Sequence, residues 1–206
     1  MIYSIEINIT ELCNLKCEMC PRSQGYPNEN LHMSAETLKK IVESVNDFVE
    51  YAGSNITFSI TGRGEPSLHN NYRELLNYVI TNKNEKVKIL VNTNGYKFDQ
   101  YLDLYEKIER VSLNVYYNHT VEEYENLKKI YSNNKNITVC LRHIGNEITP
   151  QVQRQPYNNR AGTIENEITI INLEDNYCHK PFTNIFIDWN GDYNLCCNDW
   201  GEKIVL

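Results

Sequence analysis

The chain has 206 residues and a mass of 24.2 kDa, which suits one domain or one domain with a small appendage. Its formal net charge of -7 argues against a protein whose affinity depends on nucleic-acid phosphates. No apolar run is as long as a membrane-spanning helix, and residues 1–10 lack the layout of a signal peptide. We therefore expect a cytoplasmic protein with neither membrane nor nucleic acid as a partner.

Strand-like and helix-like segments alternate through the first two thirds of the sequence. The predicted strands are residues 2–10, 55–61, 87–93, 111–116 and 136–143, and the predicted helices are residues 34–51, 71–82, 97–109 and 120–132. Ser34 is the expected N-cap of the first helix, and Gly53 lies just past its end. Repeated βα units predict a parallel sheet with helices on one or both faces.

Apolar and polar residues alternate along these predicted strands. In residues 56–61 the apolar side chains alternate with hydroxyl groups, and in residues 111–116 they alternate with Ser, Asn and Tyr. Strands that helices cover on both faces have continuous apolar runs instead. One apolar face and one polar face therefore predict a barrel or part-barrel with helices outside and a polar lumen.

Three cysteines, Cys13, Cys17 and Cys20, lie within eight residues directly after the first predicted strand. In a reducing compartment, clustered thiols usually bind metal. Three thiolates on one loop can hold three irons of a [4Fe–4S] cluster and leave the fourth iron open to another ligand. Zinc is the alternative, although structural zinc sites have four protein ligands.

A second motif, TGRGEP in residues 61–66, ends the second predicted strand. Glycines such as Gly62 and Gly64 let a backbone approach a ligand closely, and the Glu65 carboxylate can accept from an ammonium group. Alone, this sequence usually forms a tight βα turn. Because it follows the cysteine loop at the end of the next strand, it indicates a shared site.

Together the C-x3-C-x2-C loop and the TGRGEP turn resemble the radical S-adenosylmethionine (SAM) superfamily. The resemblance implies an α/β fold with a partial (β/α)5-6 barrel, and SAM bound through its amino and carboxylate groups to the open iron. It also implies reductive cleavage of SAM to methionine and a 5′-deoxyadenosyl radical, with a flavodoxin or ferredoxin as reductant. Met19 stands where relatives often have an aromatic residue, and it can pack on adenine.

Side chains on the polar face of the strands are candidates for the rest of the site. By resemblance, Ser112 and Asn114 bond the SAM ribose, and Asn94 is a weaker candidate. Arg142 needs an anion in the lumen, either a ligand carboxylate or a protein carboxylate such as Glu6.

Two further lumen residues are weaker candidates for direct contact with a substrate. Tyr116 is a substrate-contact candidate. Cys140 is either a small buried filler or a hydrogen donor.

The tail carries a second cysteine pattern, Cys178, Cys196 and Cys197. With the hairpin predicted over residues 185–193, it resembles the opening of the SPASM and twitch extensions, which bind an auxiliary iron–sulfur cluster. The later cysteines of a full SPASM domain are absent, so inert thiols or a zinc site remain alternatives. We expect a partial barrel over residues 1–148, a linker over 149–163 and a truncated SPASM/twitch-like region with a short β-hairpin over 164–206.

The main hypothesis from the sequence is a radical SAM enzyme that abstracts hydrogen from a small-molecule or peptide substrate in a net oxidation. One alternative is a radical SAM epimerase that uses a cysteine as hydrogen donor. The other is an iron–sulfur protein without turnover, which has little use for the glycine turn and a polar lumen.

Overall fold

The computed structural model describes residues 2–17, 20–116, 118–142 and 178–200. The strands are β1 (Ser4–Asn8), β2 (Ile56–Thr61), β3 (Val87–Thr93), β4 (Arg110–Val115), β5 (Ile137–Leu141), β6 (Asn184–Ile187) and β7 (Tyr193–Asn194). They form one sheet in the order β5-β4-β3-β2-β1-β6-β7. The first six strands are parallel to their neighbours and β7 is antiparallel to β6. In the described part of the chain the sheet is not closed, as expected of a partial barrel.

Among the described residues, four helices follow the first four strands, as the predicted βα units require, and a fifth, short helix precedes β6. They are α1 (Ala35–Ala52), α2 (Tyr72–Asn82), α3 (Leu102–Tyr105), α4 (Val121–Ile130) and α5 (Lys180–Thr183). The α1 boundaries are confirmed, because the Ser34 hydroxyl accepts from the Thr37 amide at 3.0 Å and Gly53 ends the helix with φ 65°. Of the helices in the described ranges, none has the length and apolarity needed to cross a membrane.

The single long helix predicted over residues 97–109 is wrong. The chain forms a 3-10 turn at Phe98–Tyr101 and then only the four-residue α3. Lys97 is left-handed with φ 53°, and Tyr101 has φ -117° and ψ 8°, so neither residue can continue an α-helix. Tyr101 instead packs its ring edge-on against Tyr72, with centroids 4.8 Å apart. This tertiary contact overrides the local helical pattern.

The two faces of the sheet differ as the alternation predicts. The apolar face is buried under α1 and α2, with Ile7, Phe58 and Val91 at most 1% exposed. The opposite face carries polar residues in register, with Asn8 beside Thr61 on the neighbouring strand. The helices therefore cover one side, and the polar side is left for the site.

The predicted tail hairpin is confirmed and also extends the main sheet. Asp188 accepts from the backbone amides of Asn190, Gly191 and Asp192 and so fixes the turn. β6 pairs with β1, which makes it a sixth parallel strand. The predicted linker over residues 149–163 lies outside the described residues, and the domain boundaries stay predictions.

Candidate cofactor site

A cavity of about 160 Å³ opens at the carboxyl ends of β1–β4, the end at which open α/β sheets place their ligands. We call it the cofactor cavity. Its lining comes from the loops after these strands and from the tail: Cys13, Leu15, Cys17, Cys20, Thr61, Gly62, Arg63, Gly64, Glu65, Asn92, Thr93, Asn94, Asn114, Tyr116 and Trp200. The two motifs found in the sequence therefore face one space.

The cysteine loop, residues 13–20, brings all three of its thiols to the cofactor cavity. Burial, then the charges of Cys20 and Cys13, raises the pKa of the Cys17 thiol to about 12. Burial likewise raises the pKa of Cys13, whose sulfur lies 3.9 Å from the Asn94 Nδ2 amide nitrogen. The three thiols are thus close enough to repel one another when they ionise, so a bound cation would stabilise them as thiolates.

The donor set of the cavity fits a cluster that is open at one iron. All seven cysteines lie in the described ranges, and none of them forms a disulfide. Three of them line the cavity, and its described lining contains neither a fourth cysteine nor a histidine. A [4Fe–4S] cluster held by three cysteines keeps one iron for an exogenous ligand.

The glycine turn, residues 62–65, packs directly on residues 8–12, the segment that leads into the cysteine loop. A Cβ at Gly64 would lie 2.1 Å from the Thr10 carbonyl oxygen and 2.6 Å from that of Leu12. A Cβ at Gly62, where φ is 126°, would lie 2.6 Å from Asn8 Oδ1. The glycines therefore allow two backbone segments to approach each other, a requirement that exists before any ligand binds.

Replacing Gly64 with Ala is expected to lower the free energy of unfolding by about 4 kcal/mol or more, because the new methyl group meets backbone atoms. Urea denaturation of the cofactor-free protein measures this change. Gly25→Ala is the matched control: its Cβ has nothing within 4 Å and only its φ of 94° is strained. Gly25→Ala should lower the free energy of unfolding by about 1 kcal/mol. Equal costs for the two variants would contradict the packing argument.

Glu65 is 2% exposed, and donors occupy both of its carboxylate oxygens. Oε1 accepts from the Ser67 hydroxyl at 2.7 Å and from the Thr93 hydroxyl at 2.6 Å, and Oε2 accepts from the Asn94 amide at 2.6 Å. Burial raises the pKa of Glu65, and these hydrogen bonds oppose the rise. The carboxylate therefore connects the end of β2 to the end of β3.

Asn114 and Tyr116 line the cofactor cavity from the end of β4. Asn114 Oδ1 accepts from Arg142 Nε at 2.7 Å, so Arg142 is bound to a cavity residue. Burial, then the nearby Cys17 charge, raises the pKa of Tyr116. Ser112, two residues before Asn114 on β4, is also buried but does not line the cavity.

The structure places two further candidates from the sequence, Arg142 and Cys140, next to Asn114. Within the described residues Arg142 forms no ion pair with Glu6, whose carboxylate instead accepts from Asn184 Nδ2 at 3.4 Å. Cys140 is half-buried beside Asn114 in the β4–β5 register, outside the cofactor cavity, with its sulfur 3.8 Å from the Thr138 carbonyl oxygen. Met19 lies outside the described residues.

The tail cysteines are not all brought together in the described structure. Cys196 and Cys197 line a cavity of about 20 Å³, and Cys178 is exposed and does not line it. Lys180 Nζ lies 3.9 Å from the Cys197 sulfur. An auxiliary cluster at these residues therefore stays a prediction.

Four buried residues that line or adjoin the cofactor cavity are not predicted as site residues from the sequence. Glu11, Arg22 and Arg63 are each 3% exposed, and Trp200 is 7% exposed. Their one available signal is position, because Glu11 and Arg22 flank the cysteine loop and Arg63 lies between the two glycines of the TGRGEP motif. The role of Trp200 depends on how the tail folds back, which no local pattern indicates.

The fold and site define an α/β partial barrel with a three-cysteine cofactor cavity at its strand ends. A family model described as the radical SAM superfamily matches residues 7–150. The chain belongs to the radical SAM superfamily. Its cofactors are those of the family, a [4Fe–4S] cluster and SAM.

Similarity to curated proteins is confined to part of each chain. A GTP 3′,8-cyclase from Vibrio parahaemolyticus is 29% identical over 113 residues, 55% of this chain and 33% of that protein. A probable GTP 3′,8-cyclase from Methanococcus maripaludis is 35% identical over 101 residues, 48% of this chain and 31% of that protein. The chain thus spans about a third of the length of these relatives.

Solved structures share the fold at low sequence identity. BtrN in complex with AdoMet and 2-DOIA has a TM-score of 0.78 at 18% identity, covering 100% of this chain and 77% of that chain. Streptococcus suis SuiB bound to the precursor peptide SuiA has a TM-score of 0.57 at 15% identity, covering 99% and 61%. These likenesses support the partial barrel.

Proposed function

We propose that this protein is an enzyme that cleaves SAM reductively and abstracts a hydrogen atom from a small-molecule or peptide substrate, with net two-electron oxidation of that substrate. The 5′-deoxyadenosyl group would carry away the hydrogen atom, and an oxidised iron–sulfur cluster would accept the second electron as the substrate loses a proton. The observation that carries the proposal is the shared cavity: the three thiols of the cysteine loop and the glycine turn line one space at the strand ends. When bound, the cluster supplies the electron that generates the 5′-deoxyadenosyl radical.

The chain's own residues then have separable tasks. Cys13, Cys17 and Cys20 hold the cluster, and the backbone of the glycine turn offers carbonyl groups to the SAM ammonium. We assign the ribose hydroxyls to Asn114, which lines the cavity. Its Oδ1 accepts from Arg142 Nε and keeps a second lone pair for a hydroxyl donor. Trp200 and Tyr116 cover the cavity with aromatic surface and exclude water from the radical.

The polar face of the sheet and the structural relatives support the proposed substrate class. Hydroxyl, amide and guanidinium groups such as Thr138, Asn114 and Arg142 occupy the face that a substrate would meet, so a polar substrate fits. BtrN is described with 2-DOIA and SuiB with the peptide SuiA, which supports keeping both substrate classes. We place the reaction in the cytoplasm, with a flavodoxin- or ferredoxin-type protein as reductant.

The test is an anaerobic assay of the reconstituted protein with SAM and dithionite. We expect wild type to release 5′-deoxyadenosine and methionine in equal amounts. The control variant Cys13→Ala/Cys17→Ala/Cys20→Ala should release neither. A wild-type protein that carries about four irons and yields no 5′-deoxyadenosine would contradict the proposal and favour an iron–sulfur protein without turnover.

One observation favours a second candidate, epimerisation with a cysteine hydrogen donor. Cys140 is a free, half-buried thiol that is in register with the cavity residue Asn114. An epimerase would incorporate one solvent deuterium into product without net oxidation, and Cys140→Ala would stop that incorporation. Products oxidised by two electrons and free of solvent deuterium would exclude it.

A further inference from the structure

Two buried arginines connect the separate segments that surround the cofactor cavity. Arg22 Nη2 donates to the Glu11 carbonyl oxygen and, at 3.2 Å, to the Arg63 carbonyl oxygen. Arg22 Nη1 donates to the Pro27 carbonyl oxygen. One guanidinium therefore binds both flanks of the cysteine loop and the glycine turn.

The Arg63 side chain reaches from the glycine turn to the tail. Its Nη2 donates to the Asp199 carbonyl oxygen at 3.0 Å, and its Nη1 lies 3.9 Å from Glu11 Oε1. Arg22 Nη2 lies 3.3 Å from Glu11 Oε2. Glu11 is thus a buried carboxylate between two buried guanidinium groups. The stability of such a buried cluster of three charges depends on good geometry, because removing any one of them leaves another charge uncompensated in the interior.

The Trp200 indole lies against both guanidinium groups. The Arg22 Cζ atom is 5.7 Å from the ring centroid, and the Arg63 Cζ atom is 6.0 Å from it. The Tyr26 ring meets the indole edge-on at 4.8 Å. Cation–π contacts within about 6 Å of an indole are attractive and fix the orientation of the cation. Trp200 also lines the cofactor cavity. One ring of the tail therefore contacts both arginines and the cavity.

We propose that Trp200 is a positioning residue of the cofactor site: its indole orients Arg22 and Arg63, which hold the cysteine loop against the glycine turn. Retention of the cluster then depends on the tail, residues 184–200, being docked. This inference rests on the proposed function, since it assigns the tail a role toward the same cavity.

The test compares Trp200→Leu, which keeps apolar bulk, with Trp200→Phe, which keeps an aromatic face. Trp189→Phe is the control, because Trp189 is the other of the two tryptophans and does not line the cavity. Each protein is reconstituted anaerobically, and two quantities are measured: the rate at which an iron chelator removes the cluster, and the EPR spectrum of the reduced protein with SAM. Circular dichroism of the cofactor-free proteins reports folding.

We expect Trp200→Leu to lose iron about 10-fold faster than wild type, with an altered EPR spectrum, because positioning partners of metal ligands typically contribute that much. Trp200→Phe should restore most of the retention, and Trp189→Phe should match wild type. A folded Trp200→Leu protein with wild-type iron loss and spectrum would overturn the inference and leave the proposed function intact. A wild-type protein that takes up no iron would overturn both.

A second measurement tests the placement of the Trp200 ring, on which the inference depends, even if Trp200→Leu does not fold. In the Trp189→Phe protein Trp200 is the sole indole, and in Trp200→Phe the sole indole is Trp189. Cluster assembly should quench the Trp200 emission strongly, because energy transfer from an indole at the cavity is efficient, and it should quench the Trp189 emission less. Weaker quenching of Trp200 than of Trp189 would place the Trp200 ring away from the cluster and overturn the inference.

Discussion

Replacing Cys17 with Ala is expected to lower the rate of SAM cleavage by about 1,000-fold or more, a loss of about 4 kcal/mol in transition-state stabilisation. Cys17 is the most buried thiol of the cysteine loop, at 9% exposed, and it faces the cofactor cavity with Cys13 and Cys20. With two thiolates left, the cluster lacks a third protein ligand, so the site should lose iron as well as activity. Iron and sulfide counts and the yield of 5′-deoxyadenosine measure the two effects.

Cys140→Ala separates the loss of a ligand from the loss of any thiol. Cys140 is half-buried on β5, outside the cofactor cavity, so its removal should leave the iron content unchanged. If Cys17→Ala kept a full complement of iron and cleaved SAM at the wild-type rate, the assignment of the cysteine loop as the cluster site would be wrong. Equal iron loss from both variants would point to instability of the fold instead.

Local sequence features predict most of the fold. Ser34 and Gly53 cap α1 through hydrogen bonds and a left-handed turn that depend on residues a few positions away. The alternation along β2 and β4 follows from the period of two of a strand. The helix predicted over residues 97–109 is wrong because the conformation of this segment depends on Tyr72, which lies on another helix and packs on Tyr101. No local pattern contains that contact.

The site was predictable where one loop supplies it and unpredictable where distant segments meet. Cys13, Cys17 and Cys20 share a loop, so their spacing alone places three thiols together. Charged residues such as Arg22 and Arg63 are usually exposed, and nothing in their sequence neighbourhood indicates burial against a tail indole. The sequence predicts that Glu65 accepts from a ligand, which stays a prediction, but it gives no sign of the protein donors that both carboxylate oxygens accept from.

Replacing Glu65 with Ala is expected to lower the free energy of unfolding of the cofactor-free protein by about 3–5 kcal/mol, because it leaves buried donors of Ser67, Thr93 and Asn94 without their acceptor. Urea denaturation measures the change. Thr93→Val removes one donor to Glu65 and also the acceptor of the Gly95 amide, so it should lower the free energy of unfolding by about 2 kcal/mol. The double variant should cost less than the sum of the two, because both changes remove the same hydrogen bond.

The titration of Glu65 gives this prediction a pH dependence whose sign can be checked. Burial raises the pKa of the folded carboxyl above its unfolded value of about 4.3, so the folded state binds a proton more readily. The stability that Glu65 contributes is then fully present below the unfolded pKa and falls as pH rises through the folded pKa. Glu65→Gln cannot titrate at this position. The difference in free energy of unfolding between wild type and Glu65→Gln should therefore shrink as pH rises from the unfolded pKa through the folded pKa of Glu65.

The outcome of these Glu65 measurements decides between two roles for one carboxylate. If Glu65 connects β2 to β3, the Ala variant loses stability without any ligand present, and its loss of SAM affinity follows from a displaced Asn94 turn. If Glu65 instead accepts from the SAM ammonium, the cofactor-free protein should be nearly as stable as wild type, and only SAM affinity should fall. The structure favours the first result, since four hydrogen bonds from protein donors converge on the buried carboxylate.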